Sequence, residues 1–326
     1  MDQKQILLTG ATGFVGAAVC PALAAAGWRV RCLTRDAQAT KRRQPTLEWV
    51  EGDVAEAGAM ARALKGCDAA LYLVHGMREG GDFERRDREG AVCFARAAAV
   101  AGVRRIVYLG GMAPAAGKTS PHLRSRLQVG EVLREGQVQA IELRASMIVG
   151  PGSLSWLIVR DLAARLPLMV LPAWLRSLTQ PIAIDDVVAA LVGALEVPMT
   201  ASAWFDIGGP DVMSGKQILD ETARALGLHR PWTLALPVLT PRLSSLWVRF
   251  VTRARWSVAR EVVVGLTHDL LAHDDRFWSL IGHERRLHFA QAARSALAAE
   301  AAEHPTRGAW AAIERARGAA GVQVSG

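Results

Sequence analysis

Short apolar runs alternate along the first half of the chain with longer stretches in which apolar residues return every three or four positions. "QILLT" (5–9), "RVRCLT" (29–34), "LEWVEGD" (47–53), "AALYLVHG" (69–76), "RRIVYLGG" (104–111) and "QAIELRAS" (139–146) predict six strands. Between them, "FVGAAVCPALAAAG" (14–27, with Gly27 as C-terminal cap), "GAMARALKG" (58–66), residues 84–101 and "SPHLRSRLQVGEVLRE" (120–135) predict helices. Nearly continuous apolar strands separated by helices imply an α/β fold: a doubly wound parallel sheet covered on both faces.

From Gly150 the texture changes. The segment 151–181 is apolar, proline-broken and tryptophan-bearing, "AWFDIGG" (203–209) reads as a strand returning to the sheet, and beyond Pro241 the pattern is helical to about Arg317. This divides the chain into a dinucleotide-type core over 1–150, a substrate-side lobe with returning core elements over 151–240, and a mostly helical region over 241–326. In such folds ligands bind beyond the carboxyl ends of the strands. The segment 151–181 is therefore expected to wall a substrate pocket with Trp156, Met169 and Trp174. The same residues would equally serve as the core of the smaller lobe. In "PRLSSLWVRFVTRARWSVAR" (241–260), Leu243, Leu246, Trp247, Phe250 and Val251 fall at helical spacing among arginines. That pattern suits a peripheral membrane contact, and also an ordinary packed helix.

With 326 residues, 51% of them hydrophobic and 21% charged, a folded protein with an ample core is expected. The net charge of +8 suits phosphate-bearing ligands or anionic surfaces. No basic run carries interleaved aromatics, so nucleic acid is not expected as a partner. The four cysteines, Cys20, Cys32, Cys67 and Cys93, form no C-x-x-C pair and read as buried free thiols of a reducing cytoplasm. The first residues run into a strand without signal-peptide architecture, and no charge-free apolar run approaches the ~20 residues of a membrane span, which also suits a cytoplasmic location. Histidines and cysteines show no metal-ligand spacing, and no Gly-x-Ser-x-Gly elbow is present, so neither a metal nor a serine nucleophile is expected.

"LLTGATGFVG" carries the clearest chemistry. Gly10, Gly13 and Gly16 follow a strand and open a helix, the arrangement that holds a dinucleotide pyrophosphate on helix N-terminal amides. The end of the second strand selects the dinucleotide. An acidic residue there would bind the ribose 2′-hydroxyl of NAD, whereas this chain has Thr34 and Arg35, with Lys41, Arg42 and Arg43 close behind. A guanidinium favours a 2′-phosphate, so the expected cofactor is NADP(H). Asp53, at the end of the third strand, is a candidate for the adenine amino group or for a turn cap.

Together, "TGATGFVG", "EGDV" (51–54), "YLVHG" (72–76), "IVYLGG" (106–111), "LRASMIVGPGS" (143–153) and "PIAIDDVVAAL" (181–191) resemble the short-chain dehydrogenase/reductase superfamily, of its extended and atypical kind. The order and spacing match over about residues 5–220. The chain looks most similar to the NmrA-like, NAD(P)H-binding branch, to which an accessory subunit of mitochondrial complex I belongs. The resemblance implies a Rossmann core and further cofactor contacts from Thr12, Phe14, Val15, Val54, Val74, His75, Gly76, Gly110 and Met147. Typical members end the fifth strand with Ser or Thr and carry a Tyr-x-x-x-Lys pair on the next helix. Here the strand ends Gly110–Gly111, His122 stands in the Tyr place and Arg126 in the Lys place. Arg126 is thus a candidate for the cofactor ribose, and His122 for the proton donor, since an imidazole with an ordinary pKa of ~6.5 can serve as an acid near neutrality.

Two functions fit this sequence. One is an NADPH-dependent reductase or isomerase of an apolar carbonyl, enone or quinone, working without the usual Tyr–Lys pair. The other is a non-catalytic NADP(H)-binding sensor, assembly factor or accessory subunit whose partner is a protein.

Overall fold

The computed structural model describes residues 3–74, 82–114, 119–165, 168–171, 176–228, 232–235 and 268–303. Seven parallel strands form the main sheet: β1 (Gln5–Leu8), β2 (Arg29–Thr34), β3 (Glu48–Glu51), β4 (Ala69–Tyr72), β5 (Arg105–Gly111), β6 (Gln139–Ala145) and β11 (Ala203–Asp206). Their spatial order is β11-β6-β5-β4-β1-β2-β3. The six predicted strands are all present, and the returning run joins as the seventh, pairing Ala203 with Ile141 through Asp206 with Arg144. The order reverses between β1 and β4, which opens a crevice at their carboxyl ends. There the Thr9 side chain stitches the two strands together, donating to the Leu71 carbonyl at 3.2 Å and accepting from the Leu73 amide at 3.0 Å.

Alternation along the strands sends residues to two cores. Ile6, Leu8, Leu71, Val107, Ile141, Leu143 and Phe205 face α1 (Phe14–Ala25) and α7 (Ile184–Gly193), with Phe277 and Trp278 of α9 (Arg276–Leu280) behind them. Leu7, Ala70, Tyr72, Ile106, Tyr108 and Ala140 face α3 (Ala57–Leu64), α4 (Phe83–Val100) and α5 (Pro121–Arg134). Burial on both faces explains why the strands read as apolar runs rather than strict alternation. A short helix, α2 (Ala37–Arg43), lies between β2 and β3.

A third core lies in the smaller lobe, among α6 (Leu154–Arg165), α8 (Gly215–Ala225) and α10 (Phe289–Glu303). Two-stranded pairings brace this lobe. β7 (Ile148–Val149) pairs with β10 (Ile182–Ala183), β9 (Leu178–Thr179) with β12 (Met213–Ser214), and β8 (Leu168–Leu171) with β13 (Trp232–Ala235).

Three aspartates clip residues 273–289 to the rest of the molecule, each by a ring nitrogen and a backbone amide. Asp206 meets His273 Nδ1 at 2.5 Å and its amide at 3.1 Å. Asp186 meets His283 Nε2 at 2.8 Å and the Leu287 amide at 2.9 Å. Asp211 meets His288 Nδ1 at 2.8 Å and the Phe289 amide at 2.7 Å. Among the described residues no helix is long and apolar enough to cross a membrane. The segment 241–260, read as a possible membrane contact, lies outside the described residues.

Candidate functional site

The glycine turn has the shape that its spacing predicts. Gly10 takes φ +70°, a left-handed conformation that glycine adopts without steric cost, and a Cβ there would sit 2.7 Å from the Leu73 carbonyl oxygen. A Cβ on Gly16 would fall 2.1 Å from the Gly10 oxygen, so only glycine lets α1 start this close to β1. Gly13 caps α1 without any side-chain hydrogen bond, and the first intrahelical bond runs from the Ala17 amide to the Gly13 carbonyl. The helix therefore begins with its leading amides, those of Phe14, Val15 and Gly16, directed out of the turn. This end lies at the mouth of the β1/β4 crevice and fits a pyrophosphate. Thr12 is exposed in the turn. The Phe14 ring packs toward Gly150, where a Cβ would come within 3.0 Å of it, so the start of the second half lies against the turn.

At the end of β2 the nearby carboxylates have structural work. Asp36 caps α2, accepting from the Ala39 amide at 2.8 Å. Glu51 accepts from the Ala37 amide at 3.0 Å. Arg35 is exposed, as are Lys41, Arg42 and Arg43. Asp53 accepts from the Ala55 amide at 3.0 Å, the turn-capping role that was one of its two expected readings. Val54 and Val74 pack at the margin of the core that faces α3, α4 and α5, and Met147 at the margin of the third core.

Helix α5 opens with Pro121 after Ser120, whose hydroxyl caps the Leu123 amide at 3.2 Å. That start sets His122 and Arg126 one turn apart on one helical face at the carboxyl rim of β5. The His122 ring stacks on Phe83, at the start of α4, with centroids 4.3 Å apart and planes 14° from parallel. Arg126 lies against the end of β5: a Cβ on Gly111 would meet its Cδ at 3.6 Å and its Nη1 at 3.7 Å, with Leu123 Cδ1 nearer at 2.8 Å. Ser125, one residue earlier, donates to Asp87 of α4 at 2.9 Å and locks the two helices together. Gly110 faces away from this group, where a Cβ would lie 3.0 Å from Glu142 Oε1. Its environment is thus the buried carboxylate beneath α5.

Neither tyrosine substitutes for the missing one. Tyr72 and Tyr108 are each 2% exposed, and burial pushes both phenols well above their ordinary pKa. Tyr108 donates to the Arg126 backbone carbonyl at 2.9 Å and so braces α5 rather than reaching the rim.

Trp156 is fully buried and donates through Nε1 to Glu300 of α10 at 3.0 Å. It occupies the core of the smaller lobe, the second of the two roles its sequence allowed. Met169 lies on β8 in register with Thr233 of β13. Trp174, His75 and Gly76 fall outside the described residues. Phe83, Asp87 and Gly111 were not singled out as site residues in the sequence. Only Gly111 carried a signal there, as the glycine that ends β5 where a hydroxyl is usual.

Residues 10–163 match the NAD(P)H-binding family. The chain is also 30% identical over 238 residues to ceramide reductase of Caulobacter vibrioides, covering 71% of this chain and 73% of that one. It belongs to the extended short-chain dehydrogenase/reductase family. Its cofactor is accordingly a nicotinamide dinucleotide, and the glycine turn described above fits one. A second family member, (4-alkanoyl-5-oxo-2,5-dihydrofuran-3-yl)methyl phosphate reductase of Streptomyces griseus, is 30% identical over 230 residues, 68% of this chain and 74% of that one. Among solved structures, the Bordetella bronchiseptica enzyme WbmG in complex with NAD aligns with TM-score 0.69 at 17% identity, over 91% of this chain and 94% of its own. A nucleoside-diphosphate-sugar epimerase from Staphylococcus aureus aligns with TM-score 0.70 at 14% identity, over 89% and 99%. At these identities the two structures establish the family's fold and nothing about substrate.

Proposed function

We propose that this protein is an NADPH-dependent reductase of an apolar carbonyl compound: a ketone, enone or quinone. The observation that carries the reading is the pairing of His122 and Arg126 one turn apart at the end of β5, beside an intact dinucleotide turn. When bound, the dinucleotide supplies the hydride. The chain's own residues position the carbonyl and manage its charge and proton. His122, held flat by Phe83, donates the proton to the carbonyl oxygen. Arg126 also contacts the nicotinamide ribose. At the adenosine end, Arg35 binds the 2′-phosphate: it stands exposed just past the end of β2, where an acidic residue would select a ribose hydroxyl, while Asp36 and Glu51 each accept from a backbone amide of α2. An apolar substrate agrees with the named substrates of the two 30% identical reductases, a ceramide and an alkanoyl-bearing furanone phosphate.

The test is NADPH oxidation by the purified protein with 2-undecanone, an alkyl-substituted enone and menadione, and with a UDP-sugar as control. Turnover of at least one apolar carbonyl is expected. His122→Phe should lower it by ~10²-fold or more while NADPH affinity holds, the usual weight of a general acid. Brisk turnover of the UDP-sugar alone would overturn the apolar reading. Inactivity toward every carbonyl would overturn the reductase reading.

A further inference from the structure

We propose that the Arg126 guanidinium is the oxyanion-stabilising group of this site and that Gly111 is the specificity-determining residue that admits it. The proposal rests on the reductase reading above and assigns a step which that reading leaves unfilled. As hydride forms the new C–H bond, the carbonyl π pair moves onto oxygen, which takes one proton to give the alcohol. Until that proton arrives, the oxygen carries negative charge, and a donor aimed at it is worth most in a water-poor site.

Three described hydroxyls near the strand ends are committed elsewhere. The Thr9 hydroxyl donates to the Leu71 carbonyl at 3.2 Å, Ser146 to the Gln180 carbonyl at 2.7 Å and Ser153 to the Ile148 carbonyl at 2.6 Å. A hydroxyl has a single proton to donate, so these three already spend theirs on backbone. Tyr108 donates to the Arg126 carbonyl. A guanidinium has five N–H donors and keeps its charge at every working pH, so it serves several acceptors at once.

The geometry at β5 supplies the rest. With no Cβ on Gly111, the Arg126 side chain lies over the end of β5, Nη1 being 3.7 Å from the place that Cβ would take. A methyl group at residue 111 would only touch the guanidinium, while a longer side chain would have to share its space, on the rim where ligands of this fold bind. His122, one turn earlier on the same face, is set to deliver the proton to the oxygen that Arg126 holds.

The experiment compares the parent with Arg126→Ala, Arg126→Lys and Gly111→Val, on whichever apolar carbonyl the parent reduces. NADPH affinity is measured separately by fluorescence titration, and turnover is read at saturating NADPH. Folding is checked by melting temperature. Arg126→Ala should lose ~10²–10³-fold in kcat at saturating NADPH, and guanidinium chloride at millimolar concentration should restore part of it. Arg126→Lys and Gly111→Val, which keep a cation but displace it, should fall between parent and Ala. A readout free of turnover uses decanoate, whose carboxylate stands in for the oxyanion. The parent with NADP+ should bind it at least tenfold more tightly than Arg126→Ala does, while decanol should bind both alike. A kcat within threefold of the parent, a loss that saturating NADPH cures, or a loss that guanidinium leaves unchanged would overturn the assignment with the reductase reading intact. A parent that reduces no carbonyl would remove both.

Discussion

Gly16→Ala tests the cofactor turn with a single methyl group. The new Cβ would fall 2.1 Å from the Gly10 carbonyl oxygen and 2.8 Å from Ala11 Cα. Both neighbours are backbone, so no rotamer change relieves the clash. To reach the 3.4 Å at which ordinary contact begins, the start of α1 must back away by roughly 1.3 Å. Overpacking of this kind costs about 1–3 kcal/mol of stability. The shift also carries the leading amides of α1 away from the pyrophosphate. Losing one charge-assisted bond there costs ~1.5–3 kcal/mol, a roughly 10- to 100-fold weaker Kd for NADPH. The assay is NADPH fluorescence titration beside thermal melting. Gly27→Ala is the control: it strains a glycine at φ +86° with nothing within 4 Å of the new Cβ, at the far end of the same helix. It should lower the melting temperature and leave NADPH affinity within twofold. If Gly16→Ala binds NADPH as the parent does, the turn does not hold the pyrophosphate in the manner argued. If Gly27→Ala loses binding equally, the loss is one of folding alone.

Arg35→Ala should weaken NADPH by tenfold or more and leave NADH within twofold, as measured by calorimetry; equal parental affinities for the two dinucleotides would refute the 2′-phosphate role. Glu142→Leu should cost about 3–5 kcal/mol in urea unfolding, because it strands Arg134 and Arg144, both 2.9 Å from a carboxylate that is itself 1% exposed. Burial pushes the Cys67 thiol up to about 11 from its ordinary 9.0. The folded state therefore keeps a proton that the unfolded chain releases, so this contribution is complete below pH 9 and is lost as pH rises through 11. Between pH 8 and 10.5 the parent should lose more stability than Cys67→Ala, and equal losses would refute the burial argument.

The sheet was legible because its central strands are buried on both faces and the breaks between elements carry glycines or polar turns. All six predicted strands of the first half are present, some trimmed at their ends, as 47–53 shortens to Glu48–Glu51. The returning strand was legible from "AWFD" for the same reason. Helices α2, α6, α7 and α8 were not drawn. α2 is a seven-residue polar helix with no buried residue, defined chiefly by its Asp36 cap, and such a helix leaves no apolar period to read. The ambiguity at Trp156 was real in the sequence, since a pocket wall and a lobe core ask for the same residues. What decides it is Glu300, 144 residues away, which accepts the indole N–H.

At the rim, the pairing of His122 with Arg126 follows from four-residue spacing on any helix. What they face does not, because it depends on how α5 docks. That docking is governed by a buried charge that no local pattern announces. Glu142, inside an apolar strand, takes one bond from Arg134 near the end of α5 and two from Arg144, whose guanidinium stacks over Trp204 of β11 at 4.2 Å. Gly130 of α5 sits directly on this carboxylate, where a Cβ would lie 2.4 Å from it. Together with the Tyr108–Arg126 bond, the triad fixes the height of α5 on the sheet and thereby brings Arg126 onto Gly111. A buried ion pair of this kind adds little net stability over an apolar replacement. Its effect here is positional: the register of α5 is set by charges and by two glycines, 110 and 130, that leave room for them, and that register decides which side chain of α5 lies over the end of β5.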